Sequence, residues 1–196
     1  MMLFVECVVP FIVVVAVYIA KYVLDISRPA PRALGSILPK LCVVSSDEIQ
    51  VYCGLHEEEL EANHLQRELR RSHICVVWGY LRQMAWNTKL FQQALRFEKM
   101  KIDPAKSSLD YEPRETLVLE LVDEAAARRW LLVKAQMNMA VRALLGLNVK
   151  QRALKALLAQ YKHLEQEIVT LTSMAQDDCY YTMLIERLGL TNWGLQ

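Results

Sequence analysis

Leu154 to Ala175 reads LKALLAQYKHLEQEIVTLTSMA and carries the most regular apolar pattern in the chain. Its apolar residues recur in alternating steps of three and four, which is the a/d pattern of a heptad repeat. The pattern predicts an amphipathic α-helix whose apolar face, called here the heptad seam, packs against other helices. The seam consists of Leu154, Leu157, Tyr161, Leu164, Ile168, Leu171 and Ala175.

The sequence also indicates where this helix begins and ends. Asn148 is a good amino-terminal cap, and Gln151 follows it three residues later, as in a capping box. Asp178 stands where the next apolar residue of the seam is due, so the pattern breaks there. A short apolar face resumes after the break and ends at Gly189, a residue typical of helix carboxyl termini.

The preceding stretch, from Pro113 to Leu145, predicts a second long helix. Proline is favoured as a first helical residue, and Gly146 provides the stop. Apolar residues occupy more than one side of this helix, so we expect it in the middle of a bundle. One stripe is Leu119, Val122, Ala126, Trp130, Val133, Met137, Ala140 and Leu144, and the other is Leu117, Leu121, Leu132, Ala135 and Met139. Because the link to the next helix is short, the two form an antiparallel hairpin.

Earlier segments are less regular. Residues 74–101 carry an apolar face at helical spacing, and Asp103-Pro104 ends that helix. Residues 56–73 predict a polar helix, either a solvated stalk or a charged contact surface. Residues 41–53 fit two patterns: a helix that begins at the capping box of Ser45 to Glu48, which we favour, or a short hairpin.

The amino-terminal residues 1–24, MMLFVECVVPFIVVVAVYIAKYVL, predict a transmembrane helix, with Glu6 and Lys21 as the only charged side chains. A cleaved signal peptide is the main alternative, but it would need a basic start that this stretch lacks. A buried soluble helix is the other. The positive charges at Lys21, Arg28, Arg32 and Lys40 all lie at the carboxyl-terminal end of the span or after it, which predicts a cytoplasmic carboxyl-terminal side. Residues 25–45 contain three prolines and predict a linker, whose apolar residues rest either on the membrane or on the bundle.

Composition narrows the classes of function. The chain has 23 basic and 22 acidic residues, and a net charge of +1 argues against nucleic-acid binding. Its five cysteines are an odd number without the spacing of a secreted disulfide framework, which fits a reducing compartment.

Two candidate metal sites are weak. Glu61 and His64 form one Glu-x-x-His, but a di-iron bundle needs a second copy and further glutamates. Four other residues offer a zinc ligand set, but two of them, only two positions apart, point to different sides of a helix. That set is Cys53, His56, His73 and Cys75.

These patterns predict an all-α protein with a transmembrane anchor (1–24), a proline-containing linker (25–45), a cytoplasmic helical bundle (46–190) and a tail (191–196). We expect no catalytic residue, metal ligand or cofactor, and therefore a membrane-anchored interaction or scaffold module without enzymatic activity. The expected partners are the bilayer, through residues 1–24, and a second copy or the helices of another protein. The predicted partner-binding residues are Leu154, Leu157, Tyr161, Leu164, Ile168 and Leu171. The alternatives are a signal-transducing helical domain and a small metal-binding or redox bundle.

Overall fold

The computed structural model describes residues 29–45, 66–103, 111–145, 151–175 and 178–189. Its elements are α1 (Leu34–Ile37), a 3₁₀ turn (Leu38–Lys40), α2 (Gln66–Lys99), α3 (Pro113–Leu145), α4 (Gln151–Met174) and α5 (Asp178–Leu188). These ranges contain no strand, so the all-α prediction is confirmed. The chain divides into two units, Met1–Ala30 and Pro31–Gln196, and all contacts below lie within the second.

The long helices begin and end close to where the sequence predicts. Helix α3 starts at Pro113, whose fixed φ suits the first turn and whose missing N–H leaves no helical hydrogen bond unmade. The interruption of the heptad pattern near Asp178 becomes the boundary between α4 and α5. Gly189 then ends α5 with a φ of 68°, a conformation that costs glycine little.

Helices α2 and α3 pack side by side in opposite directions. Near the end of α2, Glu98 Oε2 lies 2.6 Å from Arg114 Nη2 in the first turn of α3. Toward the start of α2, the Leu81 carbonyl oxygen accepts a hydrogen bond of 2.9 Å from Gln136 Nε2, far along α3. Residues that advance along one helix therefore meet residues that recede along the other. Helix α4 packs against α3, and α5 against α4 and the 3₁₀ turn.

The core consists of two apolar clusters with polar side chains between them. One cluster includes Phe91 and Leu164, and the other includes Met84 and Leu158. The buried polar side chains between them come from three helices, and each must be paired to remain buried. They are Asn87, Thr88, Gln92, Arg129 and Glu165. Arg129 is 2% exposed, and its Nη1 donates to Gln92 Oε1 at 3.1 Å.

Residues 31–45, part of the predicted linker, are packed onto the bundle. The sequence left open whether their apolar residues rest on the membrane or on the bundle. The structure buries Ile37, Leu38, Leu41 and Val44 among residues of α2, α3, α4 and α5. Proline therefore sets the local backbone of this segment without keeping it away from the core.

Asn87 makes three hydrogen bonds, two to this segment and one to α4. Its Nδ2 donates to the Cys42 carbonyl oxygen at 2.7 Å and to the Tyr161 hydroxyl oxygen at 2.8 Å. Its Oδ1 accepts from the Cys42 N–H at 2.9 Å. Lys162 adds a bond from α4 to the segment, from Nζ to the Val44 carbonyl oxygen at 3.2 Å. One buried amide thus joins the 42–44 strip, α2 and α4.

Several predictions made from the sequence concern residues that the structure does not describe. The predicted anchor (1–24), most of the polar helix (56–65) and most of the ambiguous segment (46–53) lie outside the described residues. Residues 41–45 are neither helix nor strand. Among the ranges given above, no helix has both the length and the apolar character needed to cross a bilayer.

Replacing Asn87 tests the hydrogen-bonded connection. Asn87→Leu keeps the branching of the side chain at Cγ but removes its hydrogen-bonding atoms, which leaves Cys42 and Tyr161 without their partner. Because each buried polar group left unpaired costs about 1–3 kcal/mol, we expect the free energy of unfolding to fall by about 2–4 kcal/mol. Denaturant unfolding of the full chain in detergent measures the change.

The matched control is Asn138→Leu, at an exposed position on α3. We expect a change within about 0.5 kcal/mol there. A loss at Asn87 no larger than the loss at Asn138 would show that the amide does not hold the segment in place.

Candidate interaction surface

The residues predicted to bind a partner lie in the chain's own core. Five of the six are buried, with exposed fractions of 6% or less: Leu154, Tyr161, Leu164, Ile168 and Leu171. Leu157 is half-buried and packs against the same core. The heptad seam therefore contacts other helices of this chain. An external partner would reach these side chains only if the bundle opened.

A different surface of the same bundle is exposed and partly apolar. It runs along α3 in alternating steps of four and three residues, so its members share one side of the helix. We call it the outer face of α3. It consists of Thr116, Glu120, Asp123, Ala127, Trp130, Lys134, Met137 and Val141, all of them exposed.

The outer face is opposite the side of α3 that forms the core. Val118, Ala125, Leu132 and Met139, spaced by seven residues, are buried at 6% exposure or less. These four buried residues face α2 and α4. The outer face lies on the opposite side of α3 and therefore does not contact those two helices. Helix α3 packs against α2 and α4, but Trp130 and Met137 of its first predicted apolar stripe are exposed in the described bundle.

The apolar part of the outer face lies in its carboxyl-terminal half. Trp130 is 46% exposed, and Met137 and Val141 are each 52% exposed. Neighbouring Leu131 is exposed as well. Single exposed apolar residues are ordinary, but large ones in register along one helix indicate a contact surface. Tryptophan is also among the residues that contribute most to binding at interfaces.

Charge is distributed unevenly along the outer face. Glu120 and Asp123 lie in its amino-terminal half, and Lys134 lies among the apolar residues of the other half. Asp123 and Lys134 form no ion pair within the described part of the chain. Both charges are therefore available to residues of a partner.

A second group of polar side chains lies where α3 meets α4. Glu124, His163 and Glu167 place one possible metal-ligand atom each within 4.8 Å of one another. Arg128 lies among them: its guanidinium pairs with Glu124, and its Nη2 is 3.2 Å from His163 Nδ1 and 3.9 Å from Glu167 Oε2. The sequence shows the two i, i+4 pairs, but it does not show that they meet.

The side chains of this group form an ion-pair network. Partial burial raises the pKa of the Glu167 carboxyl, and the negative charge of Glu124 raises it further. His163 and Arg128 offset part of this effect. The guanidinium already supplies positive charge between the carboxylates, so a metal ion would have to displace it.

A cavity of about 490 Å³ lies between α1, α2, α4 and α5. Its volume is in the range of small-molecule sites. At its mouth Glu98 pairs with Lys101 at 2.7 Å and with Arg114 at 2.6 Å, so these charges are used within the chain. Tyr180 closes one side by lying against Gly35, where a Cβ would come within 2.8 Å of the tyrosine hydroxyl oxygen. These contacts do not define the chemistry of a ligand.

Buried ionisable groups occur near the Asn87 connection. Glu165 is fully buried, with Oε2 2.7 Å from Lys162 Nζ. Burial raises the pKa of the Glu165 carboxyl, and the charge of Lys162 offsets this only in part. Burial also raises the pKa of the Tyr161 hydroxyl, and the neighbouring Glu165 raises it further. These three residues all belong to α4, and the Tyr161 hydroxyl connects them to Asn87 of α2.

The weak metal candidates from the sequence gain no support. Glu61, His64, Cys53 and His56 lie outside the described residues. Cys75 is an exposed free thiol on α2.

Comparison of the chain with models of protein families, with curated proteins and with solved structures found no match. A function is therefore inferred from the side chains of this protein, above all from those of the outer face of α3.

Proposed function

We propose that the protein is a helical interaction or scaffold module without enzymatic activity, held at a membrane by residues 1–24. Its bundle lies on the cytoplasmic side, and its contact surface is the outer face of α3. The observation that carries the proposal is the alignment of Trp130, Met137 and Val141 on the side of α3 opposite the core.

The shape of the exposed surface supports binding of another helix. Residues spaced by three and four positions form a narrow stripe, and a second helix covers such a stripe along its length. From Thr116 to Val141 the stripe extends ~38 Å at 1.5 Å per residue. A contact of this kind lies at the smaller end of specific interfaces, below about 1,200 Å² in total, which is typical of reversible association.

The membrane part of the proposal is supported by the sequence of residues 1–24 and by the basic residues after them. A span of about 20 mostly apolar residues is the length that a bilayer core requires. Positive charges retained on the carboxyl-terminal side favour a cytoplasmic bundle.

Site-specific photo-crosslinking tests the contact surface. A photoreactive side chain placed at Met137 of the full chain, in native membranes, is expected to form an adduct with a partner that covers the outer face. Met100 is the control, because it is 72% exposed and lies just beyond the end of α2, outside the stripe of residues that forms the outer face.

We expect an adduct from position 137, none from position 100, and at least about a tenfold loss of the adduct when Trp130→Glu is added, since a carboxylate is costly in an apolar contact. Equal labelling at both positions, or no adduct from either, would refute the outer face as the contact surface.

Membrane attachment has its own test. After carbonate extraction of cell membranes, the full chain is expected in the pellet, because an inserted apolar helix resists removal. A chain without residues 1–24 is expected in the supernatant. Recovery of the intact full chain in the supernatant would contradict the proposed anchor.

A further inference from the structure

We infer that the occupant of the outer face of α3 is the same face of a second copy, bound antiparallel about a two-fold axis. This inference rests on the proposed function and names the partner. A two-fold contact uses one surface on both copies, so that surface must be complementary to itself. The order of size and charge along the outer face supports such self-complementarity.

One antiparallel alignment matches the residues of the two copies in size. When the axis passes between residues 128 and 129, Ala127 of each copy lies opposite Trp130 of the other. The smallest side chain of the stripe then faces the largest, which lets the helices approach while the two indoles cover the centre. Alternation of large and small residues across a contact is what close packing requires.

The same alignment matches charge. Lys134 of each copy lies opposite Asp123 of the other, and neither residue has an ion-pair partner among the described side chains. The two-fold axis makes this pair twice. Opposite charges that face each other across an interface select the partner and fix the register.

The remaining positions of the stripe are compatible with this register. Met137 lies opposite Glu120, whose methylene groups can cover the thioether while the carboxylate stays in water. Val141 lies opposite Thr116, which adds a methyl contact at each end. A parallel arrangement lacks this match, since it would place Lys134 beside Lys134 and Trp130 beside Trp130. The antiparallel register is therefore favoured by both size and charge.

A charge-exchange experiment tests the inference on the full chain. Two differently tagged copies are co-expressed, membranes are solubilised in mild detergent, and recovery of one copy with the other is measured. When both copies carry Asp123→Lys, each inferred contact between positions 123 and 134 joins two lysines. When both carry Lys134→Glu, each of these contacts joins two acidic residues. We expect at least about a tenfold lower recovery when both copies carry the same single substitution.

The mixed pair gives the decisive result. When one copy carries Asp123→Lys and the other Lys134→Glu, both contacts again join opposite charges, so recovery is expected to return to the wild-type level. Lys155→Glu, at an exposed position on α4, is the control and is expected to leave recovery unchanged. Thermal unfolding of each variant checks that the bundle remains folded.

The outcomes separate this inference from the proposed function. Wild-type copies that fail to recover one another, or a mixed pair no better recovered than the single variants, would overturn the antiparallel dimer. If the photo-adduct at position 137 then has the mass of a different protein, the interaction module stands with another partner. If no adduct forms at all, both proposals fail.

Discussion

Helix α3 is apolar on two opposite sides, and the other described residues of the chain cover only one of them. Its inner side packs against α2 and α4 in the described bundle. Its outer side leaves about half of Trp130, Met137 and Val141 in water. Covering the rest of such side chains is worth on the order of 1 kcal/mol each, which would add to the stability of a complex. The architecture and the proposed function meet at this helix.

The other constraint on the fold is polar. Between the two apolar clusters, Asn87 and Arg129 satisfy groups on neighbouring elements, and an apolar core of the same volume would not specify those partners. A buried amide that must meet both Cys42 and Tyr161 allows only one position of the 42–44 strip along α2 and α4. A polar group that is costly to leave unpaired thus selects one packing among several.

Much of the helical architecture could be predicted, because helix boundaries and apolar periods are local. Pro113 and the break near Asp178 mark real ends, and five of the seven residues of the heptad seam are buried. The heptad spacing does not show which helix covers the heptad seam. Leu164 and Ile168 pack against other helices of this chain, although the same spacing is also found at contacts between chains. Conversely, Trp130 and Met137 belong to a predicted core stripe and are exposed.

The polar contacts could not be predicted for a related reason. Asn87 and Tyr161 are 74 residues apart in the sequence, and Arg128 and His163 are 35 apart. No local sequence pattern predicts either contact. The burial of Arg129 is likewise set by how α2 and α3 align. The same holds for the predicted linker. Its prolines can be read from the sequence, but the surface against which Ile37 and Leu38 pack cannot.

Peroxide oxidation of individual methionines tests whether a partner covers the outer face of α3. The rate for each methionine is measured on the full chain in native membranes, relative to the rate in the denatured chain. Met137 is 52% exposed in the bundle, between Met174 at 45% and Met100 at 72%. If a partner covers the outer face of α3, Met137 is oxidised at least about fivefold more slowly than both. A rate for Met137 between those of Met174 and Met100 would show that the face is open to solvent and would contradict the account.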